Sequence, residues 1–448
     1  MKIGMILYYD PVTRYSINSL TASIDNSGLT DLFLIQGFDK LFEITRFVRN
    51  KYDVCIVGFS LQTYMLTNDD FLNNLLLFNK MFEEKCIKIA GGPHPSGDPL
   101  GTLYSLGFDI AFIGESEKTI VNFLEEIINN GDIYKVKGLF LKNDDNSYFY
   151  TGKPEPINLD DYPPYPYWRY LFNPIEITRG CPYGCKYCQV SYMHGFEMRH
   201  RSIEKIIHYL KYFISVGLRD IRFISPDSLG YGLKYLSREP RIDLVEELLS
   251  RIYEEYVFKH GARIFYGTFP SEVRPEHFTE EAARVLKKYV SNKEIIMGAQ
   301  TGSNDLLKRI GRKHSIEDVY NAVDIAVKHG FTPVVDYIIG LPEETREDLL
   351  QTLVSIKKLV SMGAKIHLHV FMPLPGSPFG YAEPGRVPDW FKREISKVIG
   401  AGRAYGQWIH QEKIARKIYE LRMKGIIMPR RGRIRAAPGV NTGSSVPP

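Results

Sequence analysis

Three cysteines on one short loop place the strongest constraint on how this 448-residue chain can fold. Cys181, Cys185 and Cys188 stand in Gly180-Cys181-Pro182-Tyr183-Gly184-Cys185-Lys186-Tyr187-Cys188, a C-x3-C-x2-C spacing. Three thiolates so spaced can hold three corners of a [4Fe–4S] cube and leave the fourth iron open. An electron-carrier cluster would normally have a fourth Cys close by, and none follows. Zinc is the competing reading, completed by a distant ligand such as His194 or His200, but zinc knuckles usually pair C-x2-C with a second such pair. The flanks constrain the fold. Pro174-Ile175-Glu176-Ile177-Thr178 reads as a short strand running straight into the loop, and a helix pattern follows from about Ser202.

The remaining cysteines, Cys55 and Cys86, are too few for a disulfide framework in so long a chain. Both read as small core residues in or beside buried strands. No apolar run has the length of a membrane span, and Met1-Lys2-Ile3-Gly4-Met5 opens a strand and not a signal peptide. A soluble, cytoplasmic protein of a reducing compartment is expected. The net charge of +5 owes four positive charges to Arg430, Arg431, Arg433 and Arg435. Without them the body is nearly neutral and carries no nucleic-acid footprint.

Residues 1–131 alternate strand candidates (Lys2–Tyr8, Leu32–Gln36, Tyr52–Phe59, Ile87–Gly91 and Asp109–Gly114) with helical stretches at 15–26, 39–50, 69–84, 98–106 and 117–130. That pattern argues for a doubly wound, Rossmann-like parallel sheet. Such sheets bind ligands at the carboxyl ends of their strands. Ser60, Gly91, Gly92, His94, Gly114 and Glu115 fall at those ends and are the candidate cofactor contacts of this domain. A Pro- and Tyr-rich linker is expected over 132–173, where Lys153-Pro154-Glu155-Pro156 and Tyr162-Pro163-Pro164-Tyr165-Pro166 break regular structure. Residues 174–385 repeat strand–helix units as a barrel would. Residues 386–428 read as a helical extension with Trp390, Trp408 and Ile414 on apolar faces, and 429–448 as a disordered basic tail.

The Cys loop, with an aromatic Tyr187 before its last Cys, resembles the radical S-adenosylmethionine (radical SAM) enzymes. That resemblance implies a partial (β/α)6 TIM-like barrel. It also implies S-adenosylmethionine chelated by the open iron and cleaved by one electron to a 5′-deoxyadenosyl radical. The order Ala90-Gly91-Gly92-Pro93-His94, Gly107-Phe108-Asp109, Gly114-Glu115-Ser116-Glu117 resembles the cobalamin-binding domain of one class of these enzymes. The D-x-H-x-x-G loop of the wider cobalamin family is absent. Val12 stands at its His and Tyr15 at its Gly.

The same resemblance assigns further contacts. Ser225 and Asp227 stand where G-G-E is usual. Gln300 would meet ribose hydroxyls, with Ser303 beside it. Arg312 would pair with the methionine carboxylate. Val334-Val335-Asp336-Tyr337-Ile338-Ile339-Gly340 resembles the G-x-I-x-G element, with Asp336 at the first Gly, Ile338 near adenine and Gly340 allowing close approach. At the barrel rim, Glu272 and Arg274 either bridge each other or contact substrate or S-adenosylmethionine. The implied reaction is cobalamin-dependent methylation of an unactivated carbon. Radical rearrangement, cyclisation or C–C coupling without methyl transfer is the alternative enzyme reading, and a non-catalytic redox sensor the alternative outside catalysis. An electron donor such as ferredoxin or flavodoxin is implied. The substrate class (small molecule, lipid or peptide) and the catalytic residues are left open.

Overall fold

The computed structural model describes residues 1–142 and 148–428. β1 (Ile3–Tyr8), β2 (Asp31–Ile35), β3 (Val54–Ser60), β4 (Ile87–Gly91) and β5 (Ile110–Phe112) run parallel in the order β2-β1-β3-β4-β5. β3 is almost wholly buried and apolar, as a strand must be when helices cover both faces. α1 (Arg14–Ser27), α2 (Phe38–Lys51), α3 (Asp69–Met81), the short α4 (Pro93–Gly97) and α5 (Glu117–Ile128) make the crossovers. The strand order reverses between β1 and β3, the place where open α/β sheets form a crevice.

Two expectations fail here. The segment expected to be linker from 132 onward supplies β6 (Leu139–Lys142) and β7 (Tyr148–Tyr150), which extend the sheet antiparallel from β5. Their Phe and Tyr side chains suit a pleated surface, and Phe140 stacks on Tyr148 at 5.0 Å. Cys55 and Cys86 are buried as expected but form a disulfide. β3 and β4 pair Ile56 with Ile87, so the preceding residues lie side by side, with Cα atoms 4.7 Å apart.

β8 (Ile175–Glu176) and then β9 (Thr178–Arg179) lead into the Cys loop, followed by α6 (Val190–His194), β10 (Arg199–His200) and α7 (Ile203–Ser215). Alternating units follow: β11 (Asp220–Ile224), α8 (Ile242–Ile252), β12 (Arg263–Phe265), α9 (Glu280–Tyr289), β13 (Glu294–Gln300), α10 (Asn304–Arg309), α11 (Ile316–Lys328), β14 (Thr332–Ile339), α12 (Arg346–Ser361) and β15 (Lys365–Val370). The strands pair in parallel as β8-β11-β12 and β13-β14-β15, and a bridge from Val273 to Met297 links the two groups. Ser315 and Asp318 form the expected capping box at α11.

Period-two alternation sorts the strand faces. Met297, Ala299, Val335, Tyr337, Ile339, Ile366, Leu368 and Val370 enter the core beneath the helices. Gly298, Gln300, Asp336, Ile338, His367 and His369 therefore share the opposite, inner face. After α13 (Asp389–Gly400), β16 (Ala404–Tyr405) adds a further parallel strand beside β15. α14 (Trp408–Met423) joins two cores. Trp408 packs with the barrel, whereas Ile418, Leu421 and the following Ile427 pack in the first domain. Trp390 lies against the barrel core and Ile414 against that of the first domain. Residues 429–448, read as a tail, lie outside the described residues.

Candidate active site

The Cys loop is fixed from several sides. Cys181 N–H donates to Gly195 O at 3.1 Å, Lys186 N–H to Ile310 O at 2.9 Å, and Phe379 N–H to Lys186 O at 2.9 Å. Gly184 lies at φ +61°, and its N–H donates to Ser191 Oγ at 3.2 Å. Burial pushes the Cys181 thiol up and the Cys188 thiol up to about 12. Burial acts on Cys185 in the same sense, but Arg312 and Arg274 outweigh it and hold that thiol below its usual value. The Tyr187 hydroxyl adds to the effect. Cationic neighbours of this kind favour thiolate, the form that binds iron.

Four candidates converge near Cys185. Arg312 Nη1 lies 3.8 Å from Cys185 Sγ, and Nη2 donates to Gly298 O at 2.6 Å. Its Nε is buried without a partner, so one donor of the fork is free for an anion. Gln300 is a non-glycine residue at φ +73°, just after a register shift between Gly298 and Gln300. A Cβ on Gly298 would come within 2.2 Å of Gln300 Nε2 and 3.3 Å of Arg312 Nη2, so this glycine makes room for both. Backbone strain of this kind clusters at ligand sites. Ile338 and Tyr187 pack on one apolar cluster with Leu306, Leu341 and Phe371. That surface can take a flat apolar ring.

Other candidates have structural occupations. Asp227 is fully buried. His277 Nδ1 lies 2.6 Å from one oxygen, and Arg274 N–H donates to the other at 3.2 Å. Ser225 Oγ is closed onto Asp227 O at 2.7 Å. Ser303 caps α10 and donates to Asp348 at 2.5 Å. Gly340 does allow a close approach, but to backbone: a Cβ there would sit 2.5 Å from Arg386 N. Arg274 pairs with Glu276 at 2.6 Å and not with Glu272, and its guanidinium lies 3.4 Å from the Tyr183 ring centroid. His314 is buried under β13, with Nε2 3.2 Å from Ala299 O.

The strand-end candidates of the first domain mostly build its contact with the barrel. Gly114, at φ +76°, faces Met193 O, and its N–H donates to Ser96 Oγ at 3.0 Å. Glu115 is buried in an ion cluster, paired with Arg199 and lying 3.5 Å from Arg179. Glu117 pairs with the same Arg179 at 2.7 Å. Burial opposes its charge, but these cations hold the Glu115 carboxyl well below the usual range. His94 is completely buried in α4 and hydrogen-bonds Thr63 Oγ1 at 3.1 Å. Burial takes its pKa down to about 3, so it is neutral. The α4 turn touches the barrel rim directly. A Cβ on Gly97 would lie 2.1 Å from Pro375 O, and Gln189, next to Cys188, donates to Pro93 O at 3.3 Å and Pro375 O at 2.6 Å. Neither Gly97 nor Gln189 stands out in sequence, because only the docked fold brings these three loops together.

Beside the switch point, Leu7, Ile17, Ile24, Gly58, Ile89 and Ile120 line an apolar slot with Gly91 and Ser116. Gly58 keeps it open, since a Cβ there would lie 2.8 Å from Leu7 Cδ2 and 3.2 Å from Ile89 Cγ1. Ser60, paired with Gly91 across β3 and β4, has a buried hydroxyl without a partner. Gly92, at φ +97°, lets the backbone pass that hydroxyl, which a Cβ would meet at 3.0 Å.

Residues 175–356 match the family model of the radical SAM superfamily. The matched stretch carries the strand into the Cys loop, the loop itself and Arg312, and is a radical SAM domain. The [4Fe–4S] cluster and S-adenosylmethionine are the cofactors this domain implies, and the three cysteines and the free Arg312 donor suit them. An uncharacterised methyltransferase of Pyrococcus horikoshii is 25% identical over 346 residues, 73% of this chain and 70% of that protein. The fold is similar to that of TsrM from Kitasatospora setae, a radical SAM methyltransferase solved with cobalamin and a [4Fe–4S] cluster. Its TM-score is 0.64 at 14% identity, covering 86% of this chain and 75% of that one. It is also similar to OxsB, a cobalamin-dependent radical SAM enzyme, with TM-score 0.64 at 14% identity over 90% of this chain and 56% of that one. No helix among the described residues is long and apolar enough to cross a membrane.

Proposed function

We propose that this chain is a cobalamin-dependent radical SAM methyltransferase acting on an unactivated carbon. One observation carries the reading: α4, at the carboxyl end of β4, packs on the barrel rim that bears the Cys loop, through Gly97 on Pro375 and Gln189 on Pro93. A cofactor lying on those strand ends would face the cluster side of the barrel. The slot held open by Gly58 fits the apolar end of a cobalamin nucleotide tail, and the unpaired Ser60 hydroxyl is a free polar contact beside it. The likeness to TsrM and OxsB supports the same pairing of cofactors.

S-adenosylmethionine would supply the radical, and methylcobalamin the methyl group. The protein's part is to position and exclude. Cys181, Cys185 and Cys188 would hold the cluster. Arg312 would orient a carboxylate through its free Nε, and Ile338 with Tyr187 would seat the adenine. The loop bearing Val12 offers no His to cobalt. Reduction of the cluster would come from a small donor such as ferredoxin or flavodoxin.

The test uses the full chain reconstituted anaerobically with iron, sulfide and cobalamin, then supplied with methyl-labelled S-adenosylmethionine and a reductant. Label on bound cobalamin, with S-adenosylhomocysteine as co-product, is the expected result. Deoxyadenosine formation with no label reaching cobalamin would overturn the methyltransferase reading and leave the radical SAM assignment standing.

A further inference from the structure

The inner face of β14 and β15 carries a group that the cofactor contacts do not use. Asp336 Oδ1, His367 Nδ1 and His369 Nε2 all lie within 4.8 Å of one another. His367 Nδ1 is 3.0 Å from Asp336 Oδ1 and 3.1 Å from His369 Nε2. The pairing of Asp336 with His367 and of Ile338 with His369 puts the group one step along the strands from the candidate adenine surface. Glu272, in the loop after β12, interacts with this group electrostatically. Burial and then the Asp336 charge raise its pKa to about 7, against His367 and Arg312, which lower it. Asp336 is also where the sequence departs from the family's first Gly.

Proton accounting shows what the group lacks. Val370 N–H donates to Gln411 Oε1 at 2.9 Å, so the Gln411 amide turns its NH2 toward His369 Nδ1 at 3.2 Å. His369 Nδ1 therefore accepts. Burial lowers the pKa of this imidazole, so its single proton sits on Nε2, facing His367 Nδ1. His367 Nδ1 then accepts as well and has no proton for Asp336. The Glu272 carboxyl makes no hydrogen bond among the described residues. The Asp336 and Glu272 carboxyl groups thus lack a committed protein donor, and their oxygens are open to a ligand that brings one. A divalent metal fits less well. On His369 Nε2 it would move the ring proton to Nδ1, against the Gln411 NH2.

We propose that Asp336 and Glu272 bind an ammonium group of the substrate, with His367 and His369 as the wall that positions it. Several N–H donors on one cation can reach both carboxyls and offset one of their negative charges. The proposal rests on the radical SAM reading, which makes this inner face the place where substrate meets S-adenosylmethionine. Its test needs no turnover, so the two fail separately.

The probe is n-butylammonium, with sodium butyrate and sodium chloride at matched ionic strength. The readout is ring chemical shifts of labelled His367 and His369 in the reconstituted holoenzyme. Saturable shifts with butylammonium alone are expected, with affinity weakened at least ~10-fold in Asp336→Asn and in Glu272→Gln. Either variant suffices if the other fails to fold. Absent shifts, or equal shifts with butyrate or sodium chloride, would overturn the proposal. So would one equivalent of zinc held at these histidines after desalting.

Discussion

The Arg312 guanidinium lies 3.8 Å from the sulfur of Cys185 and keeps its Nε without a protein partner, so one side chain joins the cluster loop to a donor that can take an anion. Arg312→Ala removes both the cation beside Cys185 and the fork. Truncating one member of a buried charge pair costs several kcal/mol. The S-adenosylmethionine concentration for half-maximal cleavage should rise at least roughly 30-fold. Arg312→Lys should recover only part, because an ammonium cannot hold Gly298 O and a carboxylate as a planar fork does. Kinetics of deoxyadenosine release check both.

Gly97 and Pro375 O leave no room for a methyl group. Gly97→Ala forces backbone apart at the junction of the two domains and should cost about 1–3 kcal/mol. Anaerobic thermal melts should show it as a lowered midpoint. Gly400→Ala is the control, since nothing lies within 4 Å of a Cβ there.

Gly58→Val should close the apolar slot between Leu7 and Ile89. The visible spectrum of the reconstituted protein should then lose its cobalamin bands while keeping those of the iron–sulfur cluster. Retained cobalamin in a folded Gly58→Val protein would place that cofactor elsewhere.

Glu272 gives a pH signature. Its folded pKa, about 7, lies above the unfolded carboxyl value. Between the two values the folded state binds more protons, so stability falls as pH rises through this window. Glu272→Gln removes the loss. Melts at successive pH values should show the variant gaining on wild type from about pH 4.5 to 7 and holding that gain above it.

Much of this site was legible because its chemistry is local. The cysteine spacing, the strand before it, the Ser315–Asp318 box and the positions of Arg312, Gln300 and Ile338 all follow from short stretches of chain. What the sequence hid depends on partners far along it. Glu115 reads as a strand-end ligand until Arg199 and Arg179 arrive from the barrel. Asp227 reads as a cofactor contact until His277 takes its carboxylate. Gly340 reads as a glycine cleared for a ligand, and it is cleared for Arg386. β6 and β7 were hidden by their neighbours, because the Pro-rich stretch after them masks two short strands. The Cys55–Cys86 bond needs the β3–β4 register, which cysteine counting does not contain.

The most direct measurement is reductive cleavage of S-adenosylmethionine by the anaerobically reconstituted full chain. Wild type should release 5′-deoxyadenosine and methionine in equal amounts, and Cys185→Ala should release neither. A wild-type protein with its cluster in place that forms no deoxyadenosine, or a Cys185→Ala protein that forms as much as wild type, would contradict the assignment of the cysteine loop.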